Sequence, residues 1–153
     1  MSRKRAPPLP TRLPGPGASP GFLLWKVSNA WQRAQRSALK PFELTHSQFV
    51  LLATATWYGA QESLTQARLS TLSGIDQMTT SQLVRTLEAA GLVVRSEHRD
   101  DPRAKAIAVT EAGRQKARSA VVAVEEADAA FFKPVAKQSA VLVELFQALL
   151  DES

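Results

Sequence analysis

Residues 65–91 read TQARLSTLSGIDQMTTSQLVRTLEAAG, and they spell two helices separated by a tight turn. Thr65 has a side-chain oxygen that can cap free amides, so it opens a short helix from Gln66 to Leu72. Gly74 follows, suited to a left-handed turn. Asp76 can cap a second helix, Gln77 to Ala90, which Gly91 ends. With a turn of about 100° per residue, Thr80, Leu83, Val84, Leu87 and Ala90 share one mostly apolar face. The opposite face carries Met78, Ser81, Gln82, Arg85 and Ala89, with Gln77 and Thr79 flanking the amino end.

Immediately downstream, Leu92-Val93-Val94-Arg95 and Ala106-Ile107-Ala108-Val109 enclose a polar, proline-containing loop from Ser96 to Lys105. Two short apolar runs around such a loop predict a β-hairpin. Short helix, glycine turn, second helix, hairpin is the layout of a winged helix-turn-helix.

Upstream, Thr45-His46-Ser47-Gln48 reads as a capping box, opening a helix through Phe49, Leu52, Ala53 and Thr56 that Gly59 interrupts. Before it, Leu24, Val27, Trp31, Ala34 and Ala38 recur at helical spacing from Phe22, and Pro41 ends that helix. Residues 1–20 hold Pro7, Pro8, Pro10, Pro14, Pro16 and Pro20 and are expected to form no helix, only an extended or disordered arm. Beyond the hairpin, Thr110 caps a long helix from Glu111 with Val121, Val124, Ala127 and Phe131 on one stripe. Pro134 is expected to break or kink it, and a last helix carries Val141, Leu142, Leu145, Phe146 and Leu149. The expected fold class is therefore mostly α with a small β-hairpin wing.

The 153 residues suit one domain, or one domain with an attached dimerisation region. Cysteine is absent, which excludes disulfides, thiolate metal sites and thiol redox sensing by this chain. His46 and His98 are the two histidines, so no metal site is expected. No segment approaches the run of about 20 apolar residues that a membrane span needs. The basic start is followed by prolines rather than an apolar core, so no secretory signal is read and cytoplasmic residence is expected. A phosphate-binding glycine loop, a nucleophile–base pair at recognisable spacing and a metal set are all missing. No catalytic residue and no cofactor is expected, and the chain is not read as an enzyme.

The net charge of +5 is unevenly spread: +4 over residues 1–20, +2 over 21–64, +3 over 65–118 and −4 over 119–153. A basic middle with an acidic tail implies an anionic partner for one part of the molecule. The outer face of the second turn helix meets what a DNA major groove requires. Glutamine can bond an adenine edge, arginine a guanine edge and serine either, while Met78 can press a thymine methyl. Thr79 could add a hydroxyl to a phosphate. In the loop, Arg99, Arg103 and Lys105 could enter or flank a minor groove, with Asp101 placed to hold Arg103. The bland readings are a solvated helix face, a mixed-charge turn with His98 merely exposed in it, and a solvated tail in place of a DNA-touching basic arm.

Taken in order, Leu44-Thr45-His46-Ser47-Gln48-Phe49, Leu64 to Ser70, Gly74 to Glu88, Gly91 to Arg95, Asp100 to Lys105 and Val109-Thr110-Glu111-Ala112-Gly113 resemble the MarR family of transcriptional regulators. The resemblance runs from about Phe22 to Leu149. It implies a two-fold homodimer on double-stranded DNA, each subunit placing one recognition helix and one wing on a pseudo-palindromic operator, most often as a repressor. It divides the chain into an arm (1–20), the first helix of a dimerisation region (21–44), a DNA-binding lobe (45–110) and carboxyl-terminal dimerisation helices (111–153). The family's recognition positions fall on Gln77, Met78, Thr79, Ser81, Gln82 and Arg85, and its Asp–Arg wing pair on Asp101 and Arg103. Gln82 stands where many relatives carry arginine. The resemblance also implies a small aromatic or lipophilic effector, for which Trp25, His46, Phe49, Leu52, Trp57 and the surroundings of Met78 are candidate walls. Ordinary core packing is the bland reading of those residues. A winged-helix interaction or dimerisation module that does not read DNA is the rival function.

Overall fold

The structure is a computed structural model that describes residues 8–98 and 100–153. Arg3, Lys4 and Arg5 of the arm, and Arg99 of the loop, lie outside the described residues.

The first helix starts earlier than its sequence pattern predicts. α1 spans Pro20–Leu39, and the Ser19 hydroxyl accepts a hydrogen bond from the Phe22 amide at 3.2 Å. A 3-10 turn, Pro16–Ala18, precedes it. The expectation of no helix before residue 21 is therefore corrected at both places. Proline is tolerated in a first turn, where its missing amide would have had no partner. Pro41 does end α1, and a 3-10 turn, Lys40–Phe42, leads to α2 (His46–Gly59). Both halves of the α2 capping box form: the Thr45 hydroxyl accepts from the Gln48 amide, and the Gln48 side chain accepts from the Thr45 amide.

Next come β1 (Leu64–Thr65), α3 (Gln66–Ser73), α4 (Gln77–Ala89), β2 (Val93–Glu97) and β3 (Lys105–Val109). The hairpin is joined by β1 into an antiparallel sheet of order β1-β3-β2, with Leu64 opposite Ile107 and Val93 opposite Val109. β1 has two residues, too few to show an alternation in sequence. The long helix α5 (Glu111–Phe132) leads through a kinked 3-10 stretch, Lys133–Gln138, to α6 (Ser139–Asp151). Pro134 sits at the start of that stretch and breaks the helix as expected.

One core joins Leu39 of α1, Leu51 and Leu52 of α2, Leu69 of α3, Val84 and Leu87 of α4, Val93 and Ile107 of the sheet, and Ala117 and Ala120 of α5. Thr80, Leu83, Val84 and Leu87 face this core, whereas Ala90, at the carboxyl end of α4, stays exposed. Gly113 is buried in the first turn of α5, where a Cβ would overlap the Leu92 carbonyl and lie 2.7 Å from Val109 Cγ1. A backbone carbonyl cannot swing aside as a side chain can. Gly113→Ala should therefore destabilise by about 1–3 kcal/mol, read as a lower urea midpoint at unchanged slope.

Two helices carry large apolar side chains without a partner among the described residues. On α1, Phe22, Leu23, Leu24, Trp25 and Val27 are exposed. On α6, Val141, Val143, Leu145, Phe146, Leu149 and Leu150 are exposed, and no residue of the helix is buried. Among the described residues, no helix is long and apolar enough to cross a membrane.

Candidate nucleic-acid interface

The α3–α4 turn is locked by local bonds. Gly74 takes φ 72°, a left-handed value that glycine adopts without strain. The Ser70 and Thr80 hydroxyls both donate to the Ile75 carbonyl, so the turn is tied from either side. Asp76 then caps α4, accepting from the Thr79 amide at 2.9 Å and from the Thr79 hydroxyl at 2.7 Å. These bonds favour the carboxylate and hold Asp76 below the usual aspartate range, the amide bond contributing most. The sign follows: a depressed folded-state pKa adds stability above the unfolded value and loses it as pH falls through the folded one. Asp76→Ala should thus show its largest deficit in thermal midpoint near neutrality, and the gap to wild type should narrow below about pH 4.

The outer face of α4 is free. Gln77, Met78, Gln82 and Arg85 are exposed, Met78 at 75%, while Ser81 and Thr79 are half-buried. The Thr79 hydroxyl spends its proton on Asp76, so in this geometry it is not donating toward a phosphate.

The wing loop is braced by its own backbone. His98 and Ala104 close the hairpin, the His98 amide donating to the Ala104 carbonyl at 3.1 Å. Asp101 accepts from the Arg103 amide at 2.9 Å. The acid thus holds Arg103 by its backbone, leaving the guanidinium outside the ion pairs seen among the described residues. Arg103 and Lys105 are exposed. A residue not singled out from sequence, Arg95, forks onto Glu88 of α4 with Nε–Oε2 at 2.9 Å and Nη2–Oε1 at 3.1 Å. That bond ties the wing to the recognition helix. Seven positions and a glycine turn separate the partners, so no helical or strand period reveals it.

The five effector candidates do not gather into one cavity. Phe49 and Leu52 are core residues, 6% and 0% exposed. Trp25 is exposed on α1. His46 meets Trp31 edge-on at 4.9 Å, and the Trp31 indole donates to Asp128, which also accepts from buried Gln35. Burial holds His46 below the usual histidine range; nearby Asp128 opposes this and Arg36 reinforces it. Trp57, 70% exposed, instead walls a groove of about 700 Å³ between α2 and α5, with Ala53, Ala117, Val121, Arg118 and Glu125.

A helix-turn-helix whose second helix presents an exposed polar face, with a hairpin wing tied beside it, defines a winged-helix DNA-binding protein. Residues 40–126 match the family model described as an ArnR1-like, winged-helix domain. Over 143 residues the chain is 40% identical to the HTH-type transcriptional regulator YdcH of Bacillus subtilis, covering 93% of this chain and 97% of YdcH. Among solved structures it is similar to CouR of Rhodococcus jostii RHA1 bound to p-coumaroyl-CoA, at 30% identity and TM-score 0.77, covering 90% of this chain and 93% of that one. It is also similar to a MarR-family regulator of Rhodococcus sp. RHA1, at 29% identity and TM-score 0.76, covering 87% and 93% of the two chains. The chain belongs to the MarR family of winged helix-turn-helix regulators. It is a DNA-binding transcriptional regulator, not an enzyme.

Proposed function

We propose that this protein is a cytoplasmic, homodimeric repressor that reads a pseudo-palindromic operator and is released by a small aromatic or lipophilic effector. The observation that carries the reading is the division of its surface. Exposed polar and cationic side chains lie on α4 and the wing, and exposed apolar side chains lie on α1 and α6. Apolar patches of this extent ask for a protein partner, and a second copy supplies one by symmetry. Residues 21–44 and 111–153 then form the dimerisation region, and 45–110 the lobe that meets DNA.

On that lobe, Gln77, Met78, Ser81, Gln82 and Arg85 read bases, and Thr79 lies against the backbone. Arg103, Lys105 and Arg99 track the adjacent minor groove, with Asp101 shaping the loop. Support for an effector comes from CouR, whose ligand carries an aromatic acyl group, and from Trp57 beside the apolar groove of α2 and α5.

Selection from a random duplex pool tests the proposal. It should return an inverted repeat whose half-sites are centred about one helical turn, or a multiple of it, apart. Aromatic acids and their thioesters should then be screened for release of that duplex. A direct repeat, a single unpaired half-site, or no enrichment would contradict the dimeric repressor. No enrichment together with no binding at low salt would point to a winged-helix interaction module instead.

A further inference from the structure

Between the first turn of α3 and the inner face of the hairpin lies a cleft of about 310 Å³, walled by Gln66 and Ala67 on one side and by Arg95, Arg103 and Lys105 on the other. The strand register explains the convergence. Arg95 pairs with Ile107, and Lys105 lies two residues from Ile107, so both side chains leave the same face of the hairpin. Among the described residues, three cations line the cleft and no carboxylate does. Glu97 faces Lys105 across the strands but does not line the cleft, and the two form no ion pair among the described residues. Glu88 occupies Nε and Nη2 of Arg95 and fixes its plane, leaving Nη1 to donate elsewhere. Glu88 is also one turn beyond Arg85 on α4, so its bond holds Arg95 beside the reading helix.

We propose that this wing-root cleft is a seat for one backbone phosphate of the bound duplex, with Arg95 as its positioning cation and Glu88 as the group that orients it. The proposal rests on the DNA-binding reading and adds a contact to it. Three cations outnumber the two nearby acids, Glu88 on Arg95 and Glu97 opposite Lys105, so the cleft keeps a positive balance that favours an anion. A guanidinium pre-set by a carboxylate also loses less freedom on binding one. A phosphate contact fixes the register of the protein on DNA but carries no base preference. That separates Arg95 from Gln82 and Arg85.

The test is fluorescence anisotropy at several salt concentrations between about 50 and 200 mM, on a duplex selected by the wild-type protein and on an unrelated duplex of equal length. Arg95→Ala should weaken binding about tenfold on both duplexes and flatten the logarithmic salt slope by about one. Lys105→Gln should do the same, which keeps the test standing should Arg95→Ala fail to fold. Arg95→Lys keeps the cation, and Glu88→Gln leaves all three cations in place while removing the acid that orients Arg95. Each should therefore leave the slope no flatter than wild type while weakening binding a few-fold through lost orientation. Wild-type slope and affinity in Arg95→Ala and Lys105→Gln would overturn the seat. So would a loss confined to the selected duplex, or a Glu88→Gln slope as flat as that of Arg95→Ala. If the wild-type protein bound neither duplex, the DNA-binding reading itself would fall, and the seat with it.

Discussion

Replacing Leu145 and Leu149 together by aspartate is expected to leave a folded monomer that binds its operator at least about a hundredfold more weakly than the wild-type dimer. Both side chains stand on α6, four residues apart and therefore on one face, and they are 57% and 66% exposed in the single chain. They contribute little to their own chain's core, so helical content should survive. Across a dimer they would be buried, each stabilising the assembly by about 1.5–3 kcal/mol. Two carboxylates in their place would have to be desolvated without partners, which opposes association strongly. A monomer also loses the high effective concentration of the second half-site. Light scattering after gel filtration gives the mass, and anisotropy gives the affinity. A dimer of unchanged mass in this variant would mean that α6 does not carry the interface.

The second large effect concerns the wing. Changing Arg99, Arg103 and Lys105 to glutamine should reduce binding to any duplex by about a hundredfold or more at moderate salt, with a salt slope flatter by about three. Arg103 and Lys105 are exposed, and neither side chain enters an ion pair among the described residues. Lost cation–phosphate attraction is independent of sequence. Gln82→Ala should behave in the opposite way, weakening the selected duplex a few-fold while barely changing unrelated DNA, because a base-edge contact is lost and no charge is. Competition between selected and unrelated duplexes separates the two. Identical profiles for the two variants would show that wing and recognition helix have been assigned the wrong roles.

Most of the elements were legible in the sequence because their signals are local. Thr45 with Gln48, Thr65, Asp76 and Thr110 each cap the helix that their position predicts, and Gly74 and Gly91 both take positive φ. What escaped is non-local. β1 exists only because Leu64 and Thr65 meet β3, more than forty residues on. The Arg95–Glu88 fork crosses from strand to helix, and the close approach of Gly113 to Leu92 joins α5 to the residue before β2. Neither leaves a period to read. The effector candidates scattered for a related reason. Residue type marks Phe49, Leu52 and Trp57 as apolar, but only packing decides that the first two are core and the third lines a groove. Asp101 is intermediate: its attachment to Arg103 was legible, but its target is the amide and not the guanidinium.

The central claim is that α4 and the wing of a dimer read one double-stranded site. The most direct measurement is binding of the purified protein to a labelled fragment of its own upstream region, at low and moderate salt, against unrelated competitor DNA. Binding by a dimer that weakens steeply with salt and resists unrelated competitor is the predicted result. Failure to bind that fragment or a random duplex pool even at low salt would contradict the claim.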